Sequence, residues 1–277
     1  MDFKITILSE NTVTPQVEVL GEHGFSVFIE GERENVLFDT GQGLAIINNS
    51  MALNKNLRSI DKIVLSHGHK DHSGGLAKVL QIKGDVEVIG HPNVFKTRYR
   101  LKKDGKKKYV GLPFHRSYLE GLGARFNLIK EFTEISKDIY VTGEVPRKNP
   151  LEKGDPDLYA EVDGKLVPDP FEDDLSLVLD TKKGMVIVLG CAHSGVINII
   201  EYIIGKKGNN RIRGIIGGTH LKGTSSEQIE WTIKELEKYS IEMLGVSHCT
   251  GMDASLILSQ KFKEKFLPCN VGTVIEF

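Results

Sequence analysis

Residues 64 to 72 read Val-Leu-Ser-His-Gly-His-Lys-Asp-His, gathering His67, His69, Asp71 and His72 into six positions. Imidazole nitrogens with a carboxylate oxygen are the donor set of zinc, iron or manganese sites. Gly68 frees the backbone between two of the histidines to take angles that re-aim them. Ligands so close in sequence cannot all reach one ion in a relaxed tetrahedron, so the spacing predicts two ions. Two such ions acidify a water held between them and polarise a carbonyl or phosphoryl oxygen, which is the chemistry of ester, amide or phosphodiester hydrolysis. A solvated turn would account for one histidine. It gives no reason to collect all four groups at the mouth of an apolar run.

The elements around the motif are of the kind that build such sites. "IDKIVLS" (60–66) is a continuous apolar strand, and "SGGLAKVLQ" (73–81) reads as a helix. Upstream, "FSVFIE" and "NVLFDTG" flank the turn-forming "GERE", which predicts a hairpin. In the last third, "MVIVLG", "RGIIGG" and "EMLGVS" are buried strands, each followed by a helical pattern. Val196, Ile199, Ile200 and Ile203 share one helical face, as do Ile229, Ile233 and Leu236. Ser225 with Gln228 forms a capping-box pattern, and Asp253 is positioned to cap the helix that follows it. Strands alternating with helices predict an α/β layering. The expectation is a single domain over 1–277 with an elaboration at about 92–172, where the texture turns basic and then rich in Pro, Gly and acid.

Bulk properties narrow the class. The chain has 277 residues, 40% hydrophobic and 26% charged, with a net charge of −1, so no global field announces nucleic acid or a membrane. No apolar run reaches the ~18 residues of a membrane span, and the start lacks a basic flank leading into an apolar signal region. Three scattered cysteines, Cys191, Cys249 and Cys269, do not make a disulfide framework and point to a reducing, cytoplasmic setting. Further candidate ligands are His193 in "GCAHSG", His220 in "GGTHL" and His248 in "SHCTG", each placed after a buried strand and before a helix.

"HGHKDH" resembles the His-x-His-x-Asp-His signature of the metallo-β-lactamase superfamily, and "NVLFDTG" is similar to that superfamily's strand ending in Asp-Thr-Gly. The resemblance implies a four-layer αββα sandwich over nearly the whole chain. It implies that His67 and His69 bind one metal and Asp71 and His72 a second, with Asp39 accepting a hydrogen bond behind them. His248 matches the superfamily's last ligand of the second metal, and His193 is taken to complete the first. The bridging position has two contenders, Asp174 and Cys191, and Cys191 reads equally well as a small buried residue. His220 is either a further ligand or a strand-end histidine beside the site. "GEHGFSVFIE", "DDLSLVL", "GCAHSG", "GGTHL" and "SHCTG" together resemble the branch that includes ribofuranosylaminobenzene 5′-phosphate synthase homologues, linked to pterin cofactor synthesis.

The functional expectation is therefore a metal-dependent hydrolase with two divalent ions, zinc before iron or manganese. Its substrate is expected to be a small anionic molecule, with phosphorylated compounds among the candidates. Asp71 doubles as a candidate proton acceptor, and His23, Glu144 and Arg147 are candidates for the substrate pocket. The basic run Lys96, Arg98, Arg100, Lys102, Lys103, Lys106, Lys107 and Lys108 reads as a solvated hairpin turning at Asp104-Gly105, or as a rim that attracts anions. The alternatives are a synthase joining a ribosyl phosphate donor to an aromatic acid, and a metal-binding relative without catalysis. Ser66 and Ser194 lie near the site but lack a nucleophile-elbow context.

Overall fold

The computed structural model describes residues 2–277. Two seven-stranded sheets face one another across a shared apolar layer. The first runs in the order Val274–Glu276, Phe3–Ser9, Ser26–Gly31, Asn35–Phe38, Lys62–Val64, Val86–Gly90, Ala124–Leu128. The second runs Phe266–Pro268, Met243–Ser247, Ile212–Gly218, Gly184–Leu189, Ser176–Thr181, Ile139–Val141, Thr133–Ser136. In each sheet one flank is parallel and the other antiparallel. The expected hairpin forms, with Val27 opposite Phe38 and Ile29 opposite Val36.

Period-two alternation sorts each strand between two cores. Val27, Ile29, Val36 and Phe38 face inward to meet Leu177, Leu179, Val186 and Val188 of the other sheet. Their neighbours Phe28 and Leu37 face outward, under helices contributing Ile46, Leu76, Val79, Leu80 and Leu119. On the far side Ile187 and Leu189 pack beneath Ile199, Ile200, Ile203, Ile229, Ile233 and Leu258. Strands covered on both faces must be apolar throughout, which is why these segments read as continuous runs. The result is the expected αββα sandwich. Among the described residues no helix is long and apolar enough to cross a membrane.

Two helix starts differ in outcome. Ser225 caps Ser226–Leu236 by accepting a hydrogen bond from Gln228 N, as its spacing predicts. The helix Met252–Phe262 begins two residues earlier than expected, with Gly251 at the cap position, so Asp253 lies inside the first turn and is not the cap. There it still opposes the positive end of the helix dipole.

Within 92–172, the strands Ala124–Leu128, Thr133–Ser136 and Ile139–Val141 belong to the two main sheets. The added structure is a four-stranded antiparallel sheet, Lys165–Pro168, Leu158–Val162, Arg98–Leu101 and Lys107–Tyr109. The basic run does form a hairpin, closed by Lys102 N to Lys106 O over a wider loop than a two-residue turn. Gly105 at φ 78 and the Asp104 carboxylate, which accepts from Lys106 N, shape that loop.

Candidate metal centre

The parallel strands end along one edge of the sandwich, where open α/β sheets build their sites. Asp39 follows the strand Asn35–Phe38, and the motif follows Lys62–Val64. His69 leads into a four-residue helix, Lys70–Ser73, that carries Asp71 and His72. His193, His220 and His248 follow Gly184–Leu189, Ile212–Gly218 and Met243–Ser247, three adjacent strands of the other sheet. Asp39, Phe171, Ala192, His220 and His248 all hold positive φ, between 50° and 59°. Non-glycine residues in this region are uncommon and store strain, so five at one sheet edge mark a place where side chains are aimed at a cost in backbone energy.

The histidines converge in two sets. His67, His69 and His193 each offer a donor atom within 4.8 Å of the other two. His67 Nε2 and His69 Nδ1 are 3.0 Å apart. Beside them His72 Nε2 lies 3.2 Å from His248 Nε2, and Asp71 Oδ2 lies 3.4 Å from the same His248 nitrogen. Cys191 Sγ is 3.1 Å from His72 Nε2. Cys191 also falls within 4.8 Å groupings with His67 and His72 and, separately, with His193 and His220, so it stands between the sets. Asp174 is buried beside them, one oxygen accepting from Ser194 N at 2.7 Å and the other unpartnered.

These residues fit divalent cations. His69 Nε2, both nitrogens of His193 and His220 Nδ1 are buried without a hydrogen-bond partner. Buried polar atoms nearly always have one, so orphans clustered on mutually facing rings indicate a ligand set. On His72 and His248 the outer nitrogens are held as metal-binding histidines require. His72 Nδ1 contacts Asp39 Oδ2 at 2.6 Å, and His248 Nδ1 contacts Asn11 Oδ1 at 3.1 Å. Asp39 is itself fixed by Ser66, whose N and Oγ both donate to its carboxylate.

Electrostatics suits the same use. Burial and the neighbouring histidines hold His67, His69 and His193 well below the usual imidazole range, which keeps their lone pairs free. Burial pushes His72 in the same direction, but the Asp39 carboxylate overrides it and lifts His72 to about 9. A cation at His72 must therefore displace a proton. Burial would raise Asp71, yet hydrogen bonds from His23 and His248 hold it well below the ordinary carboxylate value. Burial lifts Asp174 to about 6 and pushes the Cys191 thiol up.

The chain matches the Lactamase_B model, described as the metallo-beta-lactamase superfamily, over residues 20–206. It belongs to that superfamily. It is 32% identical to a 7,8-dihydropterin-6-methyl-4-(beta-D-ribofuranosyl)-aminobenzene-5′-phosphate synthase of Methanocaldococcus jannaschii, over 100% of this chain and 97% of the relative. A crystal structure described as a metal-dependent hydrolase of the beta-lactamase superfamily superposes with a TM-score of 0.86 at 29% identity, covering 99% of both chains. The Zn²⁺-bound PqqB of Methylobacterium extorquens shares the fold at a TM-score of 0.55 and 13% identity, covering 99% of this chain and all of that one. Superfamily membership accounts for the sandwich and for the edge at which the histidines gather.

Around the two sets the outer candidates separate. His23 is exposed at the mouth, with Nε2 3.1 Å from Asp71 Oδ2 and its ring 5.0 Å from that of His248. Arg147 reaches the site from one side, its guanidinium 5.8 Å over the Phe171 ring. Glu144 instead pairs with the buried His91 and with Lys130. Phe171 has no counterpart among the sequence-derived candidates, yet it stacks on His193 with ring centroids 4.1 Å apart and planes within 3°. Glu10, also unanticipated, accepts from His248 N at 2.7 Å. No local pattern marks either residue, because the contacts span 22 and 238 positions of chain.

Glu152 ties the loop containing Arg147 to the centre. Its carboxylate accepts from Ile197 N and Asn198 N, in the first turn of the helix that follows His193. Burial dominates over those bonds and raises Glu152 from 4.5 to about 7. The native state thus holds this proton more tightly than the unfolded chain. Stability should fall as pH rises from about 4.5 to about 7 and level off above. The span is worth roughly 3 kcal/mol. Urea unfolding of metal-free protein across this window is expected to show that slope in the parent and a flatter one in Glu152→Gln, which keeps only the part that Asp174, lifted to about 6, contributes.

Proposed function

We propose that the chain is a metal-dependent hydrolase with a dinuclear centre, acting on a small anionic substrate. The observation that carries this reading is the pair of opposed donor sets with Cys191 between them. His67, His69 and His193 would hold one ion, Asp71, His72 and His248 the other, and Cys191 reaches both. Mixed nitrogen, sulfur and carboxylate donors suit zinc, with iron and manganese as the metals a metal analysis would otherwise return. The ions would supply an acidified water and a polarised substrate oxygen. The three free cysteines suit a reducing, cytoplasmic setting.

The protein's own groups have separable tasks. Asp39 and Asn11 hold the outer nitrogens of His72 and His248, which leaves both Nε2 atoms facing the centre. Asp71, hydrogen-bonded to the solvent-exposed His23, lies where a proton can pass between centre and solvent. Phe171 covers one face of His193 and keeps water from it. Among the described residues Arg147 has no carboxylate partner within ion-pair distance and donates only to Pro170 O, so its guanidinium can meet an anionic group on the substrate. Arg147→Ala is expected to raise KM for anionic substrates by roughly 10- to 100-fold, the worth of a charge-assisted hydrogen bond, with little change in kcat. Steady-state kinetics on a charged and a neutral analogue would show it.

The test is hydrolysis of anionic esters, lactones and phosphodiesters by purified protein, abolished by chelation and restored by zinc. Protein that carries metal but hydrolyses none of these would overturn the reading. A second reading, a synthase of pterin cofactor synthesis, is favoured by the 32% identity over the full chain to the M. jannaschii synthase, whose named product carries a dihydropterin-methyl group on a ribofuranosylaminobenzene 5′-phosphate. Two incubations decide between them: carbon dioxide and pyrophosphate release from p-aminobenzoate and phosphoribosyl pyrophosphate assigns a ribosyl-transferring synthase, and pyrophosphate release from ribofuranosylaminobenzene 5′-phosphate and hydroxymethyl-dihydropterin diphosphate assigns a pterin-joining one.

A further inference from the structure

Arg98 belongs to the basic run, but unlike its neighbours Lys102 to Lys108 it is 1% exposed. Its Nε donates to Asp169 Oδ2 and its Nη2 to Asp173 Oδ1, both at 2.6 Å, and Nη1 donates to Asn93 O. Asp173 uses its other oxygen, Oδ2, to accept from Gly68 N at 2.9 Å, the amide between His67 and His69. Gly68 leaves no room for another residue: a Cβ there would lie 2.2 Å from Val94 O and 2.5 Å from Arg98 Nη1. The main chain adds a second attachment. Lys70 N donates to Val110 O, Val110 N donates to Arg98 O, and His69 bridges to Gly111. Asp169 Oδ1 accepts from Phe171 N, which fixes the ring that stacks on His193.

We propose that Arg98 is a positioning residue for the metal loop: through Asp173 and Gly68 it holds His67 and His69 in their ligating arrangement, and through Asp169 it seats Phe171 against His193. This rests on the metal-centre reading above. In metal-free protein one proton can sit between these nitrogens at 3.0 Å, whereas ligation needs both lone pairs bare and facing the same ion, so the loop needs an external restraint to stay preorganised. A buried guanidinium shared by two carboxylates supplies one, because its planar fork fixes direction as well as distance. The added four-stranded sheet, from which Arg98 comes, is then the frame of one ligand set and not merely a rim over it.

The experiment uses Arg98→Lys, which cannot serve both carboxylates, and Asp173→Asn, whose amide can accept from only one of Gly68 N and Arg98. Leu158→Ala is the control, since it removes a buried apolar side chain from the same sheet and leaves the hydrogen-bonding groups of Arg98, Asp173 and Gly68 in place. Hydrogen exchange of peptides covering 67–70 is measured on metal-free protein, and zinc affinity by chelator competition. Both loop variants are expected to exchange faster by roughly tenfold or more and to lose roughly tenfold or more in zinc affinity at one of two sites, as loss of a ligand's support does. Leu158→Ala should change neither beyond its effect on urea stability. Exchange or affinity in both loop variants no different from Leu158→Ala at matched stability would overturn the proposal. If Arg98→Lys does not fold, Asp173→Asn decides. A parent chain that binds no zinc would end the metal reading, while exchange at 67–70 would still decide whether Arg98 restrains the loop.

Discussion

His67→Ala and His248→Ala are each expected to drop bound metal from about two ions per chain to about one, and to reduce hydrolysis to near background. His67 is fully buried, with Nε2 against His69 and Nδ1 against Ser66, so its removal takes a ligand from the middle of the packed loop. His248 is the one second-half histidine that contacts both His72 and Asp71. Its φ of 51° is already strained, and alanine adds no strain that histidine does not carry. Loss of a ligand should exceed the roughly 10- to 100-fold affinity cost of losing a ligand's supporting partner. Lys106→Ala, on an exposed side chain paired only with Asp104, should leave metal content unchanged. Metal analysis after dialysis checks all three, and unchanged content in the histidine variants would remove the site assignment.

Asp39→Asn carries the second large effect. Asparagine tolerates the left-handed backbone at this position, where φ is 59°, so the change acts on the charge and one acceptor oxygen and not on the main chain. Zinc affinity at the His72 site should fall by roughly 10- to 100-fold, because His72 loses the acceptor that fixes its tautomer. The pH dependence of the metal-free protein should change too. Although burial opposes it, Asp39 lifts His72 from 6.5 to about 9, so the native state binds this proton more tightly than the unfolded chain. The resulting stabilisation is complete below 6.5 and is lost as pH rises through about 9. In Asp39→Asn that decline should flatten, and zinc binding near neutral pH should release fewer protons. A variant with the parent's slope and zinc affinity would show that Asp39 does not govern His72.

What was legible in the sequence was local. The four motif residues are delivered by one strand, one glycine and one short helix, so their types and spacing carry the information. The sandwich was legible for a related reason: strands covered on both faces must be apolar throughout, and helices over them show a one-faced stripe. Features depending on distant chain were not legible. Arg98 looked like its basic neighbours because nothing nearby reveals that Asp169 and Asp173 will meet it. Phe171 looked like an ordinary loop aromatic. The cap lies two residues before Asp253 because glycine can also start a helix, and Gly251 at φ 75 does so here. Cys191 gained a definite location between the donor sets only once strands from both halves were aligned.

The pairing of Val274–Glu276 with Phe3–Ser9 has a consequence for how the chain reaches this state. The strand Phe3–Ser9 is buried at six of its seven positions, and its outer neighbour Val274–Glu276 is far from it in the sequence. Contacts of such long separation are slow to form, since loop closure must precede any gain from pairing. During refolding the backbone edge of Phe3–Ser9 therefore waits unpaired, as a template on which another copy can dock. Removing residues 274–277 should leave that edge permanently open, so the shortened chain should aggregate on refolding at concentrations the parent tolerates, whether or not zinc is present.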